Sequence, residues 1–239
     1  MPDIINFAFL HGGGQGAWIW HETIAALKAQ GGERVRAVAF DMPGCGAKRD
    51  ADVSGLSVRD AAAVFIADLA NSGLTDIILV GHSNAGTILP LVAAQRPDLI
   101  RRYVYLSCIA PPPGQSVLDV MRQGRPDAQQ SSISGGKLHD MFCNDMDPAY
   151  AEAFMGKLHS DHWPTPAVLP ETDWVYDHLA DKATSYIVCM KDRALLPDWQ
   201  EVFAARLHAQ RRVYLDAGHQ AMNTRPHGLA EILLVEAAA

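Results

Sequence analysis

Ser83 stands in Gly81-His82-Ser83-Asn84-Ala85, with a small residue two positions to either side of it. A strand can fold back sharply into a helix at such a place, because neither Gly81 nor Ala85 carries a side chain large enough to collide. The hydroxyl is then exposed at the turn and at a helix N-terminus, where negative charge is favoured. Serine is a poor nucleophile at neutral pH, so attack on a carbonyl also needs a base and a group to orient that base. Ten histidines are available. His82 adjoins the serine, but consecutive side chains on a tight turn diverge. His219, in Asp216-Ala217-Gly218-His219, follows the last apolar run and precedes the last helical stretch. Asp192, in Lys191-Asp192-Arg193, leaves the run before it. One run earlier the corresponding position reads SCIAPPPG, with no carboxylate before Asp119. Ser83, Asp192 and His219 are therefore the expected nucleophile, acid and base. The other histidines fall inside helices or in a long middle segment and read as surface or structural.

An attacked carbonyl also needs donors for its oxygen. His11-Gly12-Gly13-Gly14-Gln15-Gly16 follows the first apolar run, and residues without side chains let backbone amides turn toward a bound oxyanion. The amides of Gly13 and of Asn84, the residue after the serine, are the expected pair. A glycine run before a helix can instead cradle phosphate, but this one lacks the Gly-Lys-Ser/Thr ending and the G-x-G-x-x-G spacing.

These residues must be delivered by a framework. The runs INFAFL, RVRAVAF, DIILV, RRYVYLS, TSYIVCM and RRVYLD read as strands, and DIILV is continuously apolar, as a central strand buried on both faces must be. Helical spacing lies between them. Val58, Ala62, Phe65 and Leu69 form one stripe behind a plausible cap at Ser57, and Trp199, Val202, Phe203 and Leu207 form another. A last stripe, of Leu229, Ile232 and Leu233, follows a start at Thr224 and Pro226. Strands alternating with helices predict an α/β fold with a parallel sheet covered on both faces. Residues 108–183 break the rhythm with PPPG, a run of SSISGG and helical pieces rich in Met, Phe, Trp and His. They read as an inserted helical cap or lid on a core of residues 1–107 and 184–239. Met121, Phe142, Phe154, Trp163, Trp174 and Met222 are the candidate walls of a substrate pocket between cap and core.

The chain's 239 residues suit one domain with a modest insertion. A net charge of -7, with the basic residues scattered, lacks the positive footprint expected of a nucleic-acid or anionic-membrane partner. No stretch reaches the ~18 consecutive apolar residues of a membrane span. No Lys or Arg precedes the short first apolar run, so no signal peptide is expected and the cytoplasm is the expected location. Four widely spaced cysteines without a CxxC pair offer no tetrahedral metal site and read as small buried hydrophobes.

HGGGQGAWIW at 11–20, DMPGCG at 41–46, GHSNAG at 81–86, Lys191-Asp192 with Leu196-Pro197, and Ala217-Gly218-His219 together resemble the α/β-hydrolase superfamily. Within it they resemble the compact branch of plant methylesterases, hydroxynitrile lyases and bacterial carboxylesterases, and the order Ser83, Asp192, His219 is the one those enzymes use. The resemblance implies a mainly parallel sheet of about six strands, matching the six runs above. It also implies a small helical cap, no cofactor or metal, and the same triad and oxyanion positions. Phe142-Cys143-Asn144-Asp145 is similar to a bacterial esterase motif, whereas Leu158-His159-Ser160-Asp161-His162-Trp163-Pro164 diverges from it. Hydroxynitrile lyases of this type carry threonine after the first histidine and lysine after the catalytic one; Gly12 and Gln220 stand there instead. Pro90 is expected to bend the helix behind the serine. The expected activity is serine-dependent hydrolysis of a small to medium hydrophobic ester or lactone. A lyase or carbon–carbon bond-cleaving enzyme with the same triad, and a non-catalytic small-ligand-binding protein, are the alternatives. The oligomeric state is left open, a homodimer included.

Overall fold

A computed structural model describes residues 4–122, 135–158, 163 and 169–239. Six strands form one sheet: β1 (Ile5–Leu10), β2 (Val35–Phe40), β3 (Ile77–His82), β4 (Ile100–Leu106), β5 (Thr184–Cys189) and β6 (Arg211–Leu215). All neighbours are parallel, in the order β2-β1-β3-β4-β5-β6. The helices are α1 (His21–Gly31), α2 (Val58–Asn71), α3 (Leu89–Gln95), α4 (Val117–Arg122), α5 (Gly135–Cys143), α6 (Pro148–Leu158), α7 (Pro197–Arg206), α8 (Ala221–Thr224) and α9 (Pro226–Ala238).

Successive side chains of the central strands point to opposite faces, and both faces are buried. Ala8, Leu10, Ile77, Leu79, Tyr103, Tyr105, Tyr186 and Val188 enter one core with the apolar faces of α2, α3 and α7. Phe7, Phe9, Ile78, Val80, Val104, Leu106, Ile187 and Cys189 enter the other, with α1, α6 and α9. Every residue of β3 is buried, whereas β2 and β6, at the two edges, are half exposed.

The helix expected behind Ser57 is α2, and its cap is reciprocal. Ser57 Oγ accepts from the Asp60 amide while the Asp60 carboxylate accepts from the Ser57 amide. Three other expectations are corrected. Pro90 does not bend a helix: residues 83–87 form a 3₁₀ turn and α3 begins only at Leu89, so Pro90 sits in the first turn, where no amide donor is required. Val202 turns outward on α7 and is 52% exposed, while Phe203 is buried. Pro226 does open α9, but Arg225 occupies the cap position and Thr224 is spent elsewhere.

The segment between β4 and β5 supplies α4, α5 and α6. Its described apolar side chains build no core of their own. Val117, Val120, Trp174 and Tyr176 join the α2 face, and Cys143, Ala151, Phe154 and Leu158 join the α1 face. Most of the SSISGG run and residues 159–162 lie outside the described residues. All four cysteines are buried and outside any disulfide, and none of the described helices is long and apolar enough to cross a membrane.

Candidate active site

From β1 the chain passes to β2 on one side and then returns to β3 on the other. The loops leaving β1 and β3 therefore diverge, and a crevice opens at the carboxyl edge between them. Ser83 and the glycine loop stand there. The loops after β5 and β6 bring Asp192 and His219 to the same edge, since all strands are parallel.

Ser83 has φ of 53°, in the left-handed region that L residues avoid. The turn is held closed by its surroundings. The Ser83 carbonyl accepts from the Ile109 amide at 3.0 Å. A Cβ on Gly81 would lie 2.9 Å from Leu89 and 3.0 Å from Ala85 Cβ, and one on Gly86 would lie 2.0 Å from the Ile109 carbonyl oxygen. A Cβ on Gly12 would sit 2.8 Å from Ser83 Cβ and 2.9 Å from His82 Nδ1.

His219 Nε2 is 3.0 Å from Ser83 Oγ, and His219 Nδ1 is 2.7 Å from Asp192 Oδ2. The structure thus brings the three expected side chains into one hydrogen-bonded chain. Asp192 and His219 are almost fully buried, at 2% and 1% exposure. A carboxylate so removed from water needs donors on both oxygens. Asp192 Oδ1 accepts from the Ala194 and Leu195 amides at 2.7 and 2.8 Å. Oδ2 accepts from His219 Nδ1, from the Ser107 hydroxyl and from Gln200 Nε2. A carboxylate only accepts, so Nδ1 carries the imidazole proton and the Nε2 lone pair faces the serine.

Ser107 and Gln200 are partners that the sequence motifs do not point to. Ser107 directly follows β4, with φ of 43°, and its Oγ lies 3.3 Å from His219 Nδ1 as well as against Asp192. Its one signal in the sequence is its place: a hydroxyl at the strand end that offers no carboxylate. Gln200, on α7, is fully buried and also binds the Leu195 carbonyl at 2.7 Å.

His82 is not placed to act as a base. Its Nε2 donates to the His219 carbonyl at 3.0 Å, and Nδ1 lies 3.2 Å from Gln15 Oε1. The ring links the glycine loop to the His219 loop. Burial pushes its pKa well below the usual histidine value, and neighbouring His219 adds to this. The folded chain thus keeps His82 neutral while an unfolded chain protonates it below pH ~6.5, so stability falls as pH drops through that value. His82→Gln is expected to flatten this acid-side loss, the difference from the parent approaching ~1.4 kcal/mol per pH unit. Urea unfolding of both proteins between pH 5 and 8 is the measurement.

Beside Ser83 and His219 lies a cavity of about 140 Å³, walled by Ile109, Val117, Met121, Met141, Phe142 and Leu195. Gly13 and Asn84 border it as well. Asn84 is the second residue of the 3₁₀ turn, so its amide is among the first donors, which have no carbonyl partner within the turn. The Gly14 amide is taken, donating to the Trp163 carbonyl at 2.5 Å.

Of the six expected wall residues, Met121 and Phe142 line this cavity. The other four are packed away from it. Phe154 lies edge-on to Trp18, with centroids 5.4 Å apart, and Met222 is fully buried in the same core. Trp163 and Trp174 belong to the opposite core, Trp174 donating through Nε1 to the Gln115 carbonyl.

A model described as the alpha/beta hydrolase family matches residues 7–232. The chain belongs to that family. Among curated proteins this alpha/beta hydrolase is 27% identical to a carbendazim hydrolyzing esterase of Nocardioides sp. (strain SG-4G) over 176 residues, 72% of this chain and 71% of the other. It is 35% identical to the probable esterase PIR7A of Oryza sativa subsp. indica over 127 residues. That match takes in 51% of this chain and 47% of the rice protein, so it speaks for only about half of each. Among solved structures, an extracellular alpha/beta-hydrolase from a Paenibacillus species superposes with a TM-score of 0.78 at 22% identity, over 97% of this chain and 98% of the other. Polyneuridine aldehyde esterase superposes with 0.77 at 19% identity, over 98% and 99%. These structural likenesses are likenesses of fold.

Proposed function

We propose that this alpha/beta hydrolase is a serine esterase that cleaves a small hydrophobic carboxylic ester or lactone through an acyl-enzyme on Ser83. The observation that carries the reading is the continuous chain from Asp192 through His219 to Ser83, at 2.7 and 3.0 Å, ending at an apolar cavity. Membership of the family and the esterase names of its relatives support ester hydrolysis in general.

In this mechanism Ser83 Oγ attacks the carbonyl carbon as its proton passes to His219 Nε2, and Asp192 stabilises the imidazolium through Nδ1. The amides of Gly13 and Asn84 receive the oxyanion. Collapse expels the alcohol, which takes the proton from His219. Water then attacks the acyl group as its proton passes to His219, and collapse releases the acid while His219 returns that proton to Ser83 Oγ. The cavity is close in size to the ~150 Å³ that holds a benzene molecule in a protein core. The buried part of the substrate is thus a short alkyl chain or a single ring, with residues 108–183 acting as the cap over it.

Cyanide-releasing lyase chemistry fits less well. The space that a threonine would need at position 12 is occupied by Ser83 and His82. Gln220 is fully buried, brings no charge and does not border the cavity.

A fluorophosphonate probe tests the reading directly, because it reports an activated serine whatever the natural substrate. It is expected to label the protein stoichiometrically at the peptide containing Ser83, with parallel turnover of short-chain p-nitrophenyl esters or lactones. Absence of labelling, together with a ligand that raises Tm but is never turned over, would instead favour a binding protein.

A further inference from the structure

The turn that follows α5 lies against the candidate acid and base loops. Asn144 Nδ2 donates to the carbonyl of Lys191, the residue before Asp192, at 2.9 Å. Asp145 Oδ2 accepts from the amide of Gly218, the residue before His219, at 2.8 Å, and from Thr224 Oγ1 at 3.0 Å. Arg225 approaches the same oxygen at 3.7 Å, and the Asp145 side chain is only 8% exposed. One step up α5, Asp140 pairs with Arg193, on the other side of Asp192. The two loops also bind one another directly, through the Lys191 amide and the Ala217 carbonyl at 2.9 Å.

Gly218 records how close this approach is. A Cβ there would stand 2.4 Å from Asp145 Oδ1 and 2.6 Å from Asn144 Oδ1. No side chain fits between the turn and the histidine loop. The end of α5, just before this turn, presents Phe142, which lines the cavity and whose ring lies 5.2 Å from the His219 ring.

We infer that Asn144 and Asp145 are positioning residues: a clamp from the segment between β4 and β5 that holds the Asp192 and His219 loops in register for proton transfer. The inference rests on the serine-esterase reading above. The chemistry is that of a buried carboxylate on a backbone amide, a charge-assisted bond stronger and more directional than a neutral one. It sets the backbone just before His219, and Asn144 does the same just before Asp192. Neither side chain needs to meet the substrate. Displacement of a catalytic group by about 1 Å can cost on the order of 100-fold in rate, so loosening either loop is felt at Ser83 without loss of the cavity.

The test uses the full chain carrying Asp145→Asn, Asp145→Ala or Asn144→Ala, with the parent and Ser83→Ala as controls. Asp145→Asn keeps shape and one acceptor, so it serves if the alanine variant does not fold. Expected for Asp145→Ala and Asn144→Ala is a fall in kcat of about 10- to 100-fold with KM within about threefold. Asp145→Asn should recover part of the loss, and the rate of fluorophosphonate labelling should fall in proportion to kcat. Deuterium exchange in the peptide containing Gly218 and His219 should rise in the Asp145 variants, a readout independent of turnover. Folded variants with parental kcat, labelling rate and exchange would overturn the clamp, as would a kcat loss with unchanged exchange and labelling. A Ser83→Ala protein as active as the parent would overturn the esterase reading instead, leaving the exchange data to judge the clamp.

Discussion

Asp192→Asn is expected to lower kcat by about 10⁴-fold while leaving the fold intact, by analogy with the same change in other serine hydrolases. The size follows from how the carboxylate is held. Oδ1 accepts from two backbone amides, Ala194 and Leu195, which cannot become acceptors. An asparagine must keep its carbonyl oxygen there and turn its NH₂ toward His219 and Ser107. Nδ1 must then accept, the ring proton moves to Nε2, and the nitrogen facing Ser83 can no longer take a proton. A steady-state assay on a short-chain ester, with circular dichroism to confirm the fold, measures the effect. Restoration of rate at higher pH would argue against a tautomer trapped in this way.

Ser83→Ala is expected to reduce kcat further, by about 10⁴- to 10⁶-fold, and to abolish fluorophosphonate labelling. It should also be at least as stable as the parent, although alanine at φ of 53° keeps the backbone strain. The hydroxyl's hydrogen bond in the structure is to His219 Nε2, and its removal opens room beside the cavity. Thermal unfolding with and without a non-hydrolysed ester analogue separates the outcomes: binding persists while turnover disappears. Equal activity in parent and variant would show that another group is the nucleophile.

The candidate site is legible in outline because a parallel sheet has one carboxyl edge. Any residue just past a strand is delivered there, so Ser83 after DIILV, Asp192 after TSYIVCM and His219 after RRVYLD can be grouped without knowing a single distance. Strand direction follows from the alternation of strands with helices, and β3, which takes in Ile77–Val80 of DIILV, is indeed buried at every position, as is β5. The cavity wall is not legible. Phe142 and Phe154 are equally aromatic and sit on neighbouring helices, but α6 turns Phe154 toward Trp18 whereas the end of α5 turns Phe142 toward His219. That choice is made by packing between distant segments, which no local period records. Pro90 misleads for a related reason. The 3₁₀ turn after Ser83 delays the helix by several residues, and a proline that looks interior becomes a first-turn residue. Ser107 and Gln200 escape a reading of the sequence because hydroxyls and amides are common, and only their distance to Asp192 distinguishes them.

The strand order has a consequence for how this chain becomes active during folding. Gly13, Ser83, Asp192 and His219 lie on four separate loops, and the His219–Ser83 contact alone spans 136 residues of sequence. Contacts of such separation form only after long loops have been closed, which slows folding. Each loop is placed by a different strand, so no partly assembled sheet holds the whole set. On the proposed serine-esterase reading, Ser83 lacks its base until β6 docks beside β5 and carries His219 into place. A chain caught partway, with its central strands formed, would on that reading be already compact yet chemically silent.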